Sequence, residues 1–355
     1  MPRNSKKVPL TRRQKVTRVL KKPIIAVKAN ADEFLSRRPH RSFRLSRRRE
    51  YNRSLKLPGY ISFTNLVNKT LWRHRKIFIL LAIFYAVLTA VFVGIASQET
   101  YNSLTSTLSS VTTEVFQGNI GQLGEAVLIF ASIGSGVLAG TPTISQQIFI
   151  ILFGLLIWLT TIWLLRNLLA GHKVKLRDGL YNAGSPIIAT LFVAVVFALQ
   201  LIPIGIAAVG YTAAEATGLL TGGVESMLFW AAATLLTVIS LYLVTATFFA
   251  MIIVTLPGTY PGRALRTAGY MVSSRRFRIL LRILWMLGTI AVAGIVVIIP
   301  AILINAGLTN LWPVIQSVPV VPTVLMLFSV VAFIWSASYI YLLYRKVVDD
   351  DAKPV

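Results

Sequence analysis

Residues 256–281 read LPGTYPGRALRTAGYMVSSRRFRILL. Five arginines, Arg263, Arg266, Arg275, Arg276 and Arg278, stand here between two hydrophobic blocks, each long enough to cross a bilayer. A connector of this kind belongs at a membrane surface, where guanidinium groups meet headgroups while the flanking apolar runs stay in hydrocarbon. The stretch therefore predicts an all-α integral membrane protein, and the rest of the chain can be read outward from it.

The bulk composition agrees. The chain has 355 residues, 55% of them hydrophobic and 14% charged, with a mean hydropathy of +0.70. An ordinary soluble domain carries about 25% charged residues. The net charge of +24 is concentrated at one end, since 23 of the 36 Lys and Arg residues precede residue 77. There is no Cys, which excludes disulfides, thiol catalysis and thiolate metal sites.

Residues 1–56 combine several prolines with dense Lys and Arg and few large apolar side chains, the composition of a disordered polybasic arm. Within it Ile24, Val27, Ala31, Phe34 and Leu35 fall on one helical face and could lie on lipid. The run RRPHRSFRLSRRREYNR, residues 37–53, offers contacts to RNA, a ribosome or a cytoplasmic protein partner, but its place beside a span favours anionic lipid and orientation. Residues 57–76 follow as an amphipathic segment with Ile61, Leu66, Val67 and Leu71 turned to lipid, ending in Arg73, Arg75 and Lys76.

Hydropathy places six spans at about residues 77–96, 148–170, 186–209, 227–255, 279–305 and 321–344, with residues 346–355 as a short tail. The first begins too far from Met1 for a secretory signal and is expected to remain as an anchor. Between the first two spans, residues 97–147 hold three Glu and no Lys or Arg. The run AVLIFASIGSGVLAG in this segment, with Gly134, Gly136 and Gly140, is too short to cross; it reads as re-entrant or interfacial, forming either an outer mouth or a cap over the bundle. The second connector carries Lys173, Lys175 and Arg177. Charges alternate without exception from loop to loop: the outer loops hold five acids and no base, and every basic residue lies in an inner segment or within a turn or so of one. The positive-inside rule then gives both termini cytoplasmic, in a bacterial cytoplasmic membrane.

The connectors resemble one another. Gly179, Leu180, Ala183 and Gly184 match Ala264, Leu265, Ala268 and Gly269 at a constant spacing of 85, and LPG plus RKIFILL near residue 57 echo LPG plus RRFRILL, one residue out of step. Either chance similarity of apolar sequence or three parallel elbow-plus-span units accounts for this. In the latter the elbow helix lies on headgroups, its arginines meet phosphate, and the Ala-Gly pair lets backbones approach.

Two stretches, PGRALRTAGYMVSSRRFRILLRIL and KLRDGLYNAGSPIIATLF, give the chain a resemblance to a group of bacterial polytopic proteins: the membrane domain joined in some proteins to glycerophosphoryl diester phosphodiesterase, and its uncharacterised relatives. The resemblance could cover residues 57–345 and implies a helical membrane bundle without known catalytic residues. With no phosphodiesterase domain attached, hydrolase activity is not expected.

The residues themselves offer little chemistry. His40, His74 and His172 are not at metal-ligand spacing, and no nucleophile elbow, phosphate loop or zinc helix motif occurs, so no enzyme, metal or cofactor is expected. No span has an acid near its middle, which disfavours a proton-coupled carrier. Gln200, Pro203 and Pro300 are the polar or helix-breaking positions, belonging either to a transport path between units or to kinks closed by interhelical hydrogen bonds. The expected role is organisation of anionic lipid or a membrane assembly, with Arg263, Arg266, Arg275, Arg276, Arg278, Lys173, Lys175 and Arg177 on lipid phosphates. A transporter or channel, and an anchor docking RNA, ribosome or protein through the arm, are the rivals.

Overall fold

The structure is a computed structural model, described here over residues 57–93, 144–273, 275–311 and 320–351. The basic arm, the outer segment with Gly134, Gly136 and Gly140, and the last residues of the tail lie outside these. Among the described residues there are nine α-helices and no strand. Six of the helices are long and apolar enough to cross a membrane.

Three short helices alternate with pairs of long ones. The first elbow α1 (Tyr60–Arg73) leads into α2 (Arg75–Phe92), and α3 (Ile144–Leu169) returns. The second elbow α4 (Leu176–Ala183) leads into α5 (Ile187–Ala216) and back through α6 (Gly223–Ile253). The third, α7 (Pro261–Val272), precedes α8 (Arg276–Leu311) and α9 (Val320–Asp351). The helices overrun the hydropathy limits in several places. α5 runs on through Pro203 to Ala216, and α9 continues to Asp351, so the start of the expected tail is helical.

Local chemistry sets the corners between these helices. α3 ends at Gly171, whose φ of 85° lets His172 N–H reach Asn167 O and Gly171 N–H reach Leu168 O, a left-handed cap open to glycine at no steric cost. After α6, Pro257 and Gly258 (φ 75°) occupy the middle of a tight turn closed by Thr259 N–H on Leu256 O. Asp178 starts α4 by accepting the Lys175 N–H at 3.0 Å, and Pro261 occupies the first turn of α7.

The units are arranged cyclically. Each outgoing helix packs against its own return helix and that of the preceding unit: α2 on α3 and α9, α5 on α6 and α3, α8 on α9 and α6. Each elbow packs on the preceding return helix, α4 on α3 and α7 on α6, and the first elbow closes the circle on α9. The return helices therefore form the inner layer. Over their most apolar 18 residues, α3, α6 and α9 are 56%, 44% and 33% buried, against 22%, 11% and 17% for α2, α5 and α8.

The register repeats as well. The fourth and eighth residues of every elbow are buried: Phe63 and Val67, Gly179 and Ala183, Ala264 and Ala268. So are the fourth and seventh of every outgoing helix, Phe78 and Leu81, Thr190 and Val193, Ile279 and Arg282. Helix starts lie 15 residues apart in both the first and third units, but at a spacing of 201 between units, so the register matches neither the two LPG runs, 199 apart, nor RKIFILL and RRFRILL, 200 apart. The spacing of 85 extends beyond the connectors, carrying Leu159, Thr160, Leu164 and Leu165 of α3 onto Val244, Thr245, Phe249 and Ala250 of α6, all buried.

Two packing expectations need correction. Val67 of α1 faces the bundle together with Phe63, whose ring meets Tyr339 edge-on at 4.8 Å, while Ile61 stays exposed. The docking face of this elbow is thus a protein face, because α9 offers a closer apolar partner than lipid does. In the other elbows close approach comes from Gly179 and Ala264 with the following alanines. Gly269 has open space around it, and Gly184 has only ordinary contact.

Candidate functional site

The elbows present one layer of basic and aromatic side chains. Docking on the fourth and eighth residues leaves the opposite helix face outward: Arg177, Arg263 and Arg266 on the elbows are exposed, as are Lys173 and Lys175 just before α4 and Arg278 in the first turn of α8. The first elbow adds Lys69, Arg73, Arg75 and Lys76, also exposed. Aromatic rings stand among them: Trp72 is 70% exposed, Tyr181 86% and Tyr260 78%. Rings with an apolar body and a polar edge concentrate at the membrane interface. The Arg75 guanidinium lies over Trp72 at 5.4 Å from the ring centre.

Very little in this layer neutralises the charge. The connectors at residues 57–76, 170–186 and 254–278 contain one carboxylate, Asp178, which is engaged by the Lys175 backbone N–H. Burial, and then the charge of Arg73, holds the His74 imidazole below its usual 6.5, which favours its neutral form. Ten basic groups in one layer with one acid form a surface for anions.

Two of the arginines expected there are turned into the protein. Arg275 is 3% exposed, and Arg276 stacks over Tyr242 at 4.1 Å while donating to its carbonyl at 3.4 Å. Arg276 thereby ties the start of α8 to α6. Arg166 likewise donates to Thr255 O at 3.3 Å, tying α3 to the end of α6 beside the Trp158 to Met251 O bond.

The residue that sequence reasoning missed is Arg282. It is 6% exposed and holds the buried seventh position of α8, where α2 has Leu81 and α5 has Val193. Its guanidinium donates to Gly59 O at 3.3 Å and to Pro58 O, and lies 4.2 Å from the Tyr60 ring centre and 5.7 Å from that of Phe63. Nearby, Trp285 Nε1 donates to Thr64 Oγ1 at 3.1 Å and Trp335 Nε1 to Asn68 Oδ1 at 2.8 Å. The whole cluster fastens α1 to α8 and α9. The available signal was an arginine set inside the apolar run RILLRILW.

Gln200 and Pro203 come together, though around a repair of the helix. Pro203 has no N–H, and beside this gap a hydroxyl from α6 bridges Ile204 N–H and Gln200 O. Ser240 Oγ of α6 donates to Gln200 O at 2.8 Å and accepts from Ile204 N–H at 3.3 Å, while Thr247 Oγ1 donates to Gln200 Oε1 at 2.5 Å. These bonds satisfy the broken backbone and join α5 to α6. Ser240→Ala should lower thermal stability in detergent by about 1 kcal/mol, the usual scale for such bonds within membranes; an unchanged melting curve would remove this role. Pro300 lies on the exposed face of α8, apart from Gln200 and Pro203.

Among the described residues no group of three His, Asp or Glu could hold a metal ion. Comparison of the chain with family models, curated proteins and solved structures finds no match.

Proposed function

We propose that the protein is a non-enzymatic integral component of a bacterial cytoplasmic membrane that organises anionic phospholipid through its elbow layer, with that layer and both termini on the cytoplasmic side. The observation that carries this reading is the exposure of ten basic side chains and several aromatic rings on the three elbow helices and the residues flanking them, in connectors whose sole carboxylate is already engaged. A basic residue near an anionic surface gains roughly 1 kcal/mol, and a set of them held at fixed positions adds up. The basic arm, residues 1–56, would add avidity from the same side.

The test is lipid retention. Full-length protein purified in mild detergent should carry phosphatidylglycerol in preference to phosphatidylcholine, and retention should fall as salt is raised. Replacing Arg263, Arg266 and Arg278 together by Gln should weaken it severalfold at low salt. Retention that ignores both salt and these substitutions would exclude the proposal.

A further inference from the structure

We infer that the bundle carries three phospholipid-headgroup sites, one at each elbow, and that the first consists of Lys69, Arg73, Arg75 and Lys76 beside Trp72. This rests on the lipid reading above and gives it a stoichiometry. The number follows from the shared docking register: each elbow docks through its fourth and eighth residues and so turns its other face outward. The cations stand at different places along the three elbows, toward the end of α1 and the start of α2, before and at the start of α4, and on α7 and the first turn of α8.

Each elbow region supplies the same three chemistries, at its own positions along the chain. Cationic donors for a phosphate diester come from the elbow and its flanks: the four groups just named, then Lys173, Lys175 and Arg177, then Arg263, Arg266 and Arg278, all exposed. An exposed aromatic ring adjoins them, Trp72, Tyr181 or Tyr260. Above the junction the ninth residue of the outgoing helix is an exposed aliphatic, Ile83, Val195 or Leu284, the start of a track for an acyl chain. A glycerophospholipid monoanion matches this order of charge, interface ring and hydrocarbon. A soluble phosphate would use only the first part.

The site count can be read directly. Native mass spectrometry of the full chain in detergent doped with phosphatidylglycerol should give a maximal number of tightly held lipids. That number should drop by one when Lys69, Arg73, Arg75 and Lys76 are changed together to Gln, and again by one for each of the other two sets. The arm is identical in every variant, so lipids held by it cancel in the differences. Arg73→Lys with Arg75→Lys should keep the wild-type number, which separates lost charge from a damaged fold. Inorganic phosphate at equal concentration should not displace the lipids; displacement would mean a site for phosphate alone. A count unaffected by the first set, or one set abolishing all binding, overturns the three-site inference while leaving lipid binding intact. A wild-type protein that holds no phosphatidylglycerol overturns the lipid reading itself.

Discussion

Arg282→Ala should release the first elbow from the bundle. The guanidinium makes two hydrogen bonds to the carbonyls of Pro58 and Gly59 and packs on two aromatic rings, all while nearly excluded from solvent. Charge-assisted hydrogen bonds are worth about 1.5–3 kcal/mol each, and a desolvated cation–π contact up to about 2. Water reaching the freed carbonyls would recover part of this, so a net loss of about 3 kcal/mol is expected in detergent melts. The change should be local. Amide exchange should accelerate across α1 while α4 and α7, which dock elsewhere, keep their protection. Arg282→Leu tests the register, because leucine fills the equivalent position in α2: it should recover the packing of α8 yet leave α1 as exposed to exchange as Arg282→Ala does. Undisturbed exchange in α1 for both variants would mean that the arginine is not what fastens it.

The second large effect is expected at Gly179. A Cβ there would lie 2.9 Å from Leu164 Cδ2 and 3.0 Å from its Cγ, with Thr160 Cγ2 at 3.4 Å, and Leu164 is fully buried with nowhere to turn. Two terms oppose each other in Gly179→Ala. Helix propensity favours alanine by about 1 kcal/mol, while overpacking costs about 1–3. The contact with Leu164 Cγ, which cannot rotate away as a methyl can, makes the balance slightly unfavourable. Gly179→Leu should push α4 off α3 and cost about 3 kcal/mol, at the upper end of that range. Gly269→Ala provides the contrast, since nothing stands within 4 Å of a Cβ there and only the propensity gain remains. Equal melting temperatures for Gly179→Leu and wild type would show that the second elbow is not docked as described.

These two residues mark where the sequence was readable and where it was not. The six spans follow from hydropathy and loop charge because the bilayer imposes both length and sign, and α4 and α7 announce themselves through small residues at matching spacing. Gly179 thus belongs to a visible pattern. The first elbow has Phe63 and Val67 at the same two places, so its kinship with the others lies in position rather than in residue type. An apolar stripe also does not say whether it meets lipid or protein, which is why Val67 was assigned to lipid although it faces the bundle beside Phe63, while Ile61 is exposed as expected. Arg282 was hidden by distance: its partners lie more than 220 residues away in the chain. Pro203 illustrates a third limit, since the break it makes is visible but Ser240, which mends it, sits on another helix.

The circular order has a consequence for how the protein is made. The second and third elbows can settle on a helix that has only just left the ribosome, but the earliest one emerges before its resting place exists. It has to wait at the bilayer surface through the insertion of five further spans, held there only by its own charges and rings. The ring is completed once α9 arrives, so the last event of biogenesis involves the first elbow.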